Sequence, residues 1–162
     1  MFLTEKMVKA LNAQVGHEFA NALQYVAIAN WFESEDLLLL SKFYHEQSDD
    51  ERGHAKKFSQ FLLDSGAKVM IPDLGSFVNN FSSATEAAQL AYDAEVRTTK
   101  QIHDLVALAQ SENCPSASQH LQWFVEEQVE EIATAQRNLN IIKKAGTNVF
   151  LMEAYLAHSQ KE

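Results

Sequence analysis

Cysteine occurs once, at Cys114. A single thiol excludes an intrachain disulfide and any zinc or iron–sulfur site built on cysteines. Glycine and proline are scarce, 5 and 2 respectively, and Pro72 and Pro115 both fall at candidate connections. With so few helix breakers and so much Ala, Leu, Gln, Glu and Lys, the composition points to an all-α protein. Basic charge is also short: 13 Lys and Arg stand against 22 Asp and Glu, a formal net charge of −9. That balance argues against a nucleic-acid surface and suits an attraction for cations. No apolar run approaches membrane-spanning length, and Met1-Phe2-Leu3-Thr4-Glu5-Lys6 lacks the charged-then-apolar order of an export signal. The expectation is a cytoplasmic protein without membrane or nucleic-acid partners.

What is present is a large apolar fraction, 46% of the residues, enough for one domain with a real core over residues 1–162. Four long helices and a short fifth can be read, over residues 4–33, 36–65, 83–112, 115–145 and 148–159. Thr4 is a plausible cap for the first, Gly66 stops the second, and the capping box Ser83-x-x-Glu86 opens the third. Short connections make helices one and two antiparallel neighbours, and likewise three and four. Residues 67–82 are different. Extended, they reach about 50 Å, against about 45 Å for each long helix. Helices two and three can therefore run parallel, giving a four-helix bundle with one long crossover.

Each long helix carries an apolar seam at alternating three- and four-residue spacing, the stripe turned toward a core. The second reads Leu37, Leu40, Tyr44, Glu51, His54, Phe58 and Phe61, with a carboxylate and an imidazole one turn apart on it. The first runs from Val8 to Phe32 through Glu18 and Tyr25, the third from Ala84 to Ala109 through Glu95, and the fourth from Leu121 to Ile142 through Gln128, Glu131 and Ala135. All four seams thus hold a glutamate near mid-helix, at matching heights. Four buried carboxylates without compensation repel one another and take up protons. An ordinary buried ion pair would explain Glu51 and His54 alone, but no basic residue on these seams balances Glu18, Glu95 and Glu131. Two divalent ions would supply four positive charges, and oxygen ligands with one imidazole suit Fe(II) or Mn(II). Bridging carboxylates hold such ions about 3.5–4 Å apart. Tyr25, two turns beyond Glu18, is placed to hydrogen-bond a ligand or to deliver an electron.

Glu18…Tyr25, Glu51-Arg52-Gly53-His54, Glu95 and the run Leu121 to Glu131 together resemble the non-haem bacterial ferritins, over essentially the whole chain. The resemblance implies a ferroxidase that takes Fe(II) and O2 (or peroxide) and stores hydrated ferric oxide inside a homo-oligomeric cage of twenty-four subunits. It implies two irons per subunit: Glu18, Glu51 and His54 on the first, with Glu51 bridging, and Glu95 and Gln128 on the second, with Glu131 close by. It places Tyr25 beside the centre. Asp50, Glu127, Glu130 and Glu131 resemble a third iron site, although the family often has Glu where Asp50 is one methylene shorter. Gln128-x-x-Glu131 in place of a second Glu-x-x-His separates the chain from bacterioferritins and rubrerythrins. Arg52 stands where bacterioferritins carry a haem-ligating Met, so no haem is expected, and the absence of Cys-x-x-Cys pairs excludes a rubredoxin module.

Other readings compete. A di-iron or di-manganese oxidase of a small organic substrate would need an access channel. A structural bundle would leave the acidic seam incidental, and a DNA-protecting miniferritin would place its ligands across a subunit interface and lack the fifth helix. That fifth helix, Val149 to Ala157, is apolar nearly all round, so it is read as buried by other subunits, or else as packed across the end of its own bundle. Trp123 is expected in the core, and His17, His45, His103, His120 and His158 at surfaces or interfaces. Gly16 and Gly53, next to ligand positions, point to close backbone approach near the centre.

Overall fold

Thr4 starts the first helix by accepting a hydrogen bond from the Met7 backbone N–H at 3.1 Å. The computed structural model describes residues 2–159; Met1 and residues 160–162, the ends of the 1–162 domain, lie outside them. Its helices are α1 (Glu5–Ser34), α2 (Leu38–Asp64), α3 (Ala84–Ser111), α4 (Pro115–Ala145) and α5 (Phe150–Ser159), with no strand among the described residues. α2 begins two residues later than residue 36 because Asp36 takes a positive φ of 60° and turns the chain back. Asn113 does the same before α4, at φ 53°. In the capping box at α3, Ser83 accepts from the Glu86 N–H at 3.1 Å. Glu86, however, reaches one residue further back than expected, to the Ser82 N–H and hydroxyl at 2.6 Å.

Cross-helix pairs fix the topology. Glu18 faces His54 while Phe32 stacks on Tyr44, so α1 and α2 are antiparallel. Gln14 lies near Gln101 and Tyr25 near Ala91, so α3 is antiparallel to α1 as well, and α2 and α3 run parallel. Gln128 meets Thr99 while Lys143 meets Gln89, which makes α4 antiparallel to α3. The crossover from α2 to α3 is pinned to α1 by two amide side chains. Asn12 holds the Lys68 carbonyl at 3.1 Å and the Met70 N–H at 2.6 Å; Gln24 holds the Val78 carbonyl at 2.8 Å and its N–H at 2.9 Å.

Two apolar clusters fill the bundle, one around Phe32, Tyr44 and Ile142, the other around Met7, Phe58 and Phe124. Between them runs the layer that contains the interior carboxylates. The seams are buried as their spacing predicts, apart from Val8, Phe61 and Ala135, which are half-buried. Gly16 does meet a close neighbour, but that neighbour is the crossover: Pro72 packs on the glycine, and a Cβ there would lie 2.8 Å from Pro72 Cδ. Gly53 has nothing within 4 Å of a Cβ, so it answers to no close approach at all.

α5 packs across the end of its own bundle by one face and leaves the other open. Met152 and Leu156 are buried, and the Glu153 carboxylate accepts from the Leu39 and Leu40 N–H groups at 2.8 and 2.7 Å. Those groups open α2, whose own cap residue, Leu37, has no side-chain acceptor. Phe150, Leu151 and Tyr155 remain exposed. Among the described residues no helix is long and apolar enough to cross a membrane.

Candidate metal centre

The mid-height layer is polar and buried. Glu18, Glu51, His54, Glu95, Gln128 and Glu131 are all buried, the first and fourth at 1% exposure. Helical periodicity dictates this: a residue on the seam between buried Val15 and Ala22, or between Tyr44 and Phe58, faces inward whatever its polarity. What differs is how each group is satisfied.

On the α1–α2 side, Glu18, Glu51 and His54 converge. His54 Nδ1 lies 3.6 Å from Glu51 Oε2 and 3.9 Å from Glu18 Oε2. Both of those carboxylate oxygens are fully buried and have no hydrogen-bond partner among the described residues. Leaving such an atom unpaired costs about 1–3 kcal/mol, so the pair calls for a cation or a proton. One oxygen of each carboxylate and one imidazole nitrogen lie within 4.8 Å of one another, the spacing of a metal-ligand set. The imidazole is held in place by the ring edges of Trp123 and Phe124, at 5.6 and 6.0 Å between centroids.

The α3–α4 side is closed by hydrogen bonds, one of them from α1. The Tyr25 hydroxyl donates to Glu95 Oε1, and Gln128 Nε2 donates to Glu95 Oε2 at 3.2 Å and to Thr99 Oγ1 at 3.1 Å. Both Glu95 oxygens are thus occupied by neutral donors. On the far side of His54, its Nε2 lies 4.0 Å from Glu127 Oε1, and with Glu131 these groups form a second metal-sized set. Asp50 and Glu130, grouped with them in the sequence, are exposed and belong to neither set.

Electrostatics agree with the geometry. Burial lifts the Glu18 carboxyl well above the usual carboxylate range, and the Glu51 charge adds to the rise. Burial also raises Glu51, with further repulsion from Glu95 and Glu131. Glu131 is pushed up to about 8 by burial and then by Glu95. The Tyr25 hydroxyl is held well above its ordinary value by burial, then by Glu95 and Glu51. These raised values favour the protonated carboxyls, and a divalent ion would compete with those protons.

Several neighbours are unlike their expectation. Trp123 is not in the core: it is 38% exposed, with Lys57 Nζ 4.2 Å over its ring. His120 is half-buried rather than superficial, stacked on Phe61 at 4.2 Å, with a buried Nε2 that has no partner among the described residues. Trp123, His120, Phe61 and Lys57 wall an open groove of about 330 Å³ beside the centre. Gln14 escaped sequence reasoning altogether. It is 2% exposed, and its Nε2 donates to Glu18 Oε1 at 2.7 Å. Its one available signal is position, a glutamine one turn before Glu18 on the inward face.

A ferritin-like domain model matches residues 8–145. Ferritin BfrB of Mycobacterium tuberculosis (strain ATCC 35801 / TMC 107 / Erdman) is 40% identical over 147 residues, covering 91% of this chain and 81% of that protein. The bacterial non-heme ferritin of Staphylococcus epidermidis (strain ATCC 35984 / DSM 28319 / BCRC 17069 / CCUG 31568 / BM 3577 / RP62A) is 28% identical over 158 residues, covering 96% and 95%. Among solved structures, the open-pore ferritin from the hyperthermophilic archaeon Archaeoglobus fulgidus superposes with a TM-score of 0.92 at 32% identity, covering 96% of both chains.

Proposed function

Because this chain belongs to the ferritin family, we propose that it stores iron and oxidises it, taking Fe(II) to Fe(III) with O2 at the buried carboxylate layer and holding hydrated ferric oxide inside a cytoplasmic shell of twenty-four copies. The observation that carries this reading is the pair of buried, unpartnered oxygens, Glu18 Oε2 and Glu51 Oε2, facing His54 Nδ1. In it, Glu18, Glu51 and His54 hold the first Fe(II), with Glu51 bridging toward a second held by Glu95 and Gln128, and Glu131 close by. Two Fe(II) give one electron each to O2, which leaves as hydrogen peroxide after taking up two protons. Glu18, Glu51 and Glu131 hold protons before iron arrives and release them as it binds. Tyr25 keeps Glu95 oriented through its hydroxyl.

A third, weaker position lies on the other edge of His54, with Glu127 and Glu131; Asp50 and Glu130 lie toward solvent, where they draw cations inward. The exposed face of α5, with Phe150, Leu151 and Tyr155, meets other copies of the chain in the shell.

The test is aerobic addition of Fe(II), following ferric absorbance in the wild type, Glu51→Ala and His54→Ala. The wild type should oxidise iron at least about tenfold faster than either variant; equal rates would sink the ferroxidase reading. Size exclusion tests the shell separately. Twenty-four copies of an 18.2 kDa chain elute at roughly 440 kDa, and a monomer or dimer would refute the cage.

A further inference from the structure

We infer that Gln14 is a positioning residue that confines Glu18 to one ligating oxygen, so that Glu18 meets the first iron through Oε2 alone. The inference rests on the metal reading of Glu18, Glu51 and His54 and goes beyond it, because it assigns the mode of ligation to a residue outside the ligand set. Gln14 Nε2 donates to Glu18 Oε1 at 2.7 Å, which is short for an amide donor and occupies that oxygen. The other oxygen, Oε2, faces His54 Nδ1 without a partner. Once a metal has displaced its proton, Glu18 only accepts, which keeps the amide with its nitrogen toward it.

The amide cannot readily turn away. Gln14 is 2% exposed, its Nε2 also lies 3.5 Å from Gln101 Oε1 on α3, and its Oε1 lies 3.4 Å from His17 Nδ1. If Glu18 chelated a metal through both oxygens, Oε1 would give charge to the ion and leave the buried Gln14 N–H a weakened acceptor. Outer partners of this kind fix the orientation of a ligand and tune the ion it holds.

The experiment uses Co(II), titrated without oxygen, and reads the visible d–d absorption of the first ion together with its affinity. Gln14→Met keeps the length and shape of the side chain and removes the amide. Its first Co(II) should bind about tenfold more weakly, and the d–d band should lose intensity as Glu18 chelates and the coordination number rises. Gln14→Asn keeps the amide but falls one methylene short, and should behave like Gln14→Met. The control is Asn21→Leu. Asn21 Nδ2 donates to Thr98 Oγ1 at 2.8 Å in another buried place, and among the described residues it has no hydrogen bond to a candidate ligand. Its melting temperature should fall while the wild-type spectrum persists. Wild-type spectra and affinities in both Gln14 variants would overturn the inference and leave the metal reading standing. A wild type whose Co(II) binding ignores Glu51→Ala and His54→Ala would overturn both.

Discussion

The two sides of the carboxylate layer are made of the same residue type and finished in opposite ways. Glu18 and Glu51, between α1 and α2, each leave a buried oxygen without a partner and point both at an imidazole. Glu95, on α3, has one oxygen on Tyr25 and the other on Gln128. A cation entering the first side exchanges for protons at oxygens that have no hydrogen bond to give up. One entering the second must displace or share hydrogen bonds that are already made, each worth about 0.5–1.5 kcal/mol. If the layer takes metal as proposed, the difference predicts an order: the α1–α2 side should load first and the Glu95 side second.

The largest effects should follow that division. In an oxygen-free Co(II) titration, Glu18→Gln should weaken the first binding step by more than about tenfold, a loss above about 1.4 kcal/mol. Glu95→Gln should leave the first step within about threefold and remove the second. Tyr25→Phe frees one Glu95 oxygen, so the second step should tighten several-fold while the first stays put. If Glu95→Gln abolished the first step and Glu18→Gln spared it, the division between the sides would be wrong.

The layer of inward carboxylates was legible in the residues; the division within it was not, and the reason is physical. Seam spacing places Glu18, Glu51, His54, Glu95, Gln128 and Glu131 inward because helical period and burial are tied together. Charge counting calls for cations or protons to balance the carboxylates. Which oxygens are left open depends on donors from other helices, and no periodicity reports those. Gln14 is the example: a glutamine on a helix is common, and only its distance to Glu18 sets it apart. Gly16 looked like a concession to the centre because it lies two residues from Glu18, yet the contact it serves, with Pro72, comes from the far-off crossover. Asp50 adjoins Glu51 on α2 and Glu130 adjoins Glu131 on α4, but adjacent helical positions point apart, and these two face solvent. The fifth helix was ambiguous for a related reason: a chain apolar all round does not say which face its own bundle covers.

A smaller, pH-linked effect sharpens the contrast between the open side and the rest of the core. Glu18 and Glu51 have folded pKa values well above the carboxylate range, and Glu131 sits at about 8. The unfolded chain releases these protons near 4.5, whereas the native protein keeps them to higher pH. Between those values the native state binds more protons than the unfolded state, so stability falls as pH rises. In the presence of a chelator the melting temperature should therefore drop between pH 5.5 and 8.5. Each such group contributes at most about 1.4 kcal/mol per pH unit, or about 3–5 °C for a chain of this size. Glu18→Gln and Glu131→Gln stay neutral throughout and should melt with shallower slopes. A saturating divalent cation should reverse the trend, since it binds better once the protons have left. A chelated wild type whose melting point is flat or rising over this range would contradict the picture of proton-holding carboxyls on the open side.

The smallest effect asks whether backbone, rather than side chains, sets the open side apart, because a glycine adjoins or nearly adjoins each of its ligand positions. Gly53 precedes His54 on an exposed stretch of α2, and a methyl there meets nothing within 4 Å. Gly53→Ala should stabilise the protein by about 0.5–1 kcal/mol through helix propensity alone. Gly16→Ala gains the same propensity but drives a Cβ into Pro72, with its Cδ at 2.8 Å, and forced overlaps of this kind cost about 1–3 kcal/mol. It should come out destabilised or, at best, unchanged. Neither substitution touches a ligand atom, so the first Co(II) affinity should stay within about twofold in both, as expected of ordinary surface and packing changes. A Gly53→Ala protein that is more stable but has lost its first ion would mean that α2 must flex at Gly53 to bring His54 and Glu51 together, and the open side would then be a property of the helix, not of its unpaired oxygens.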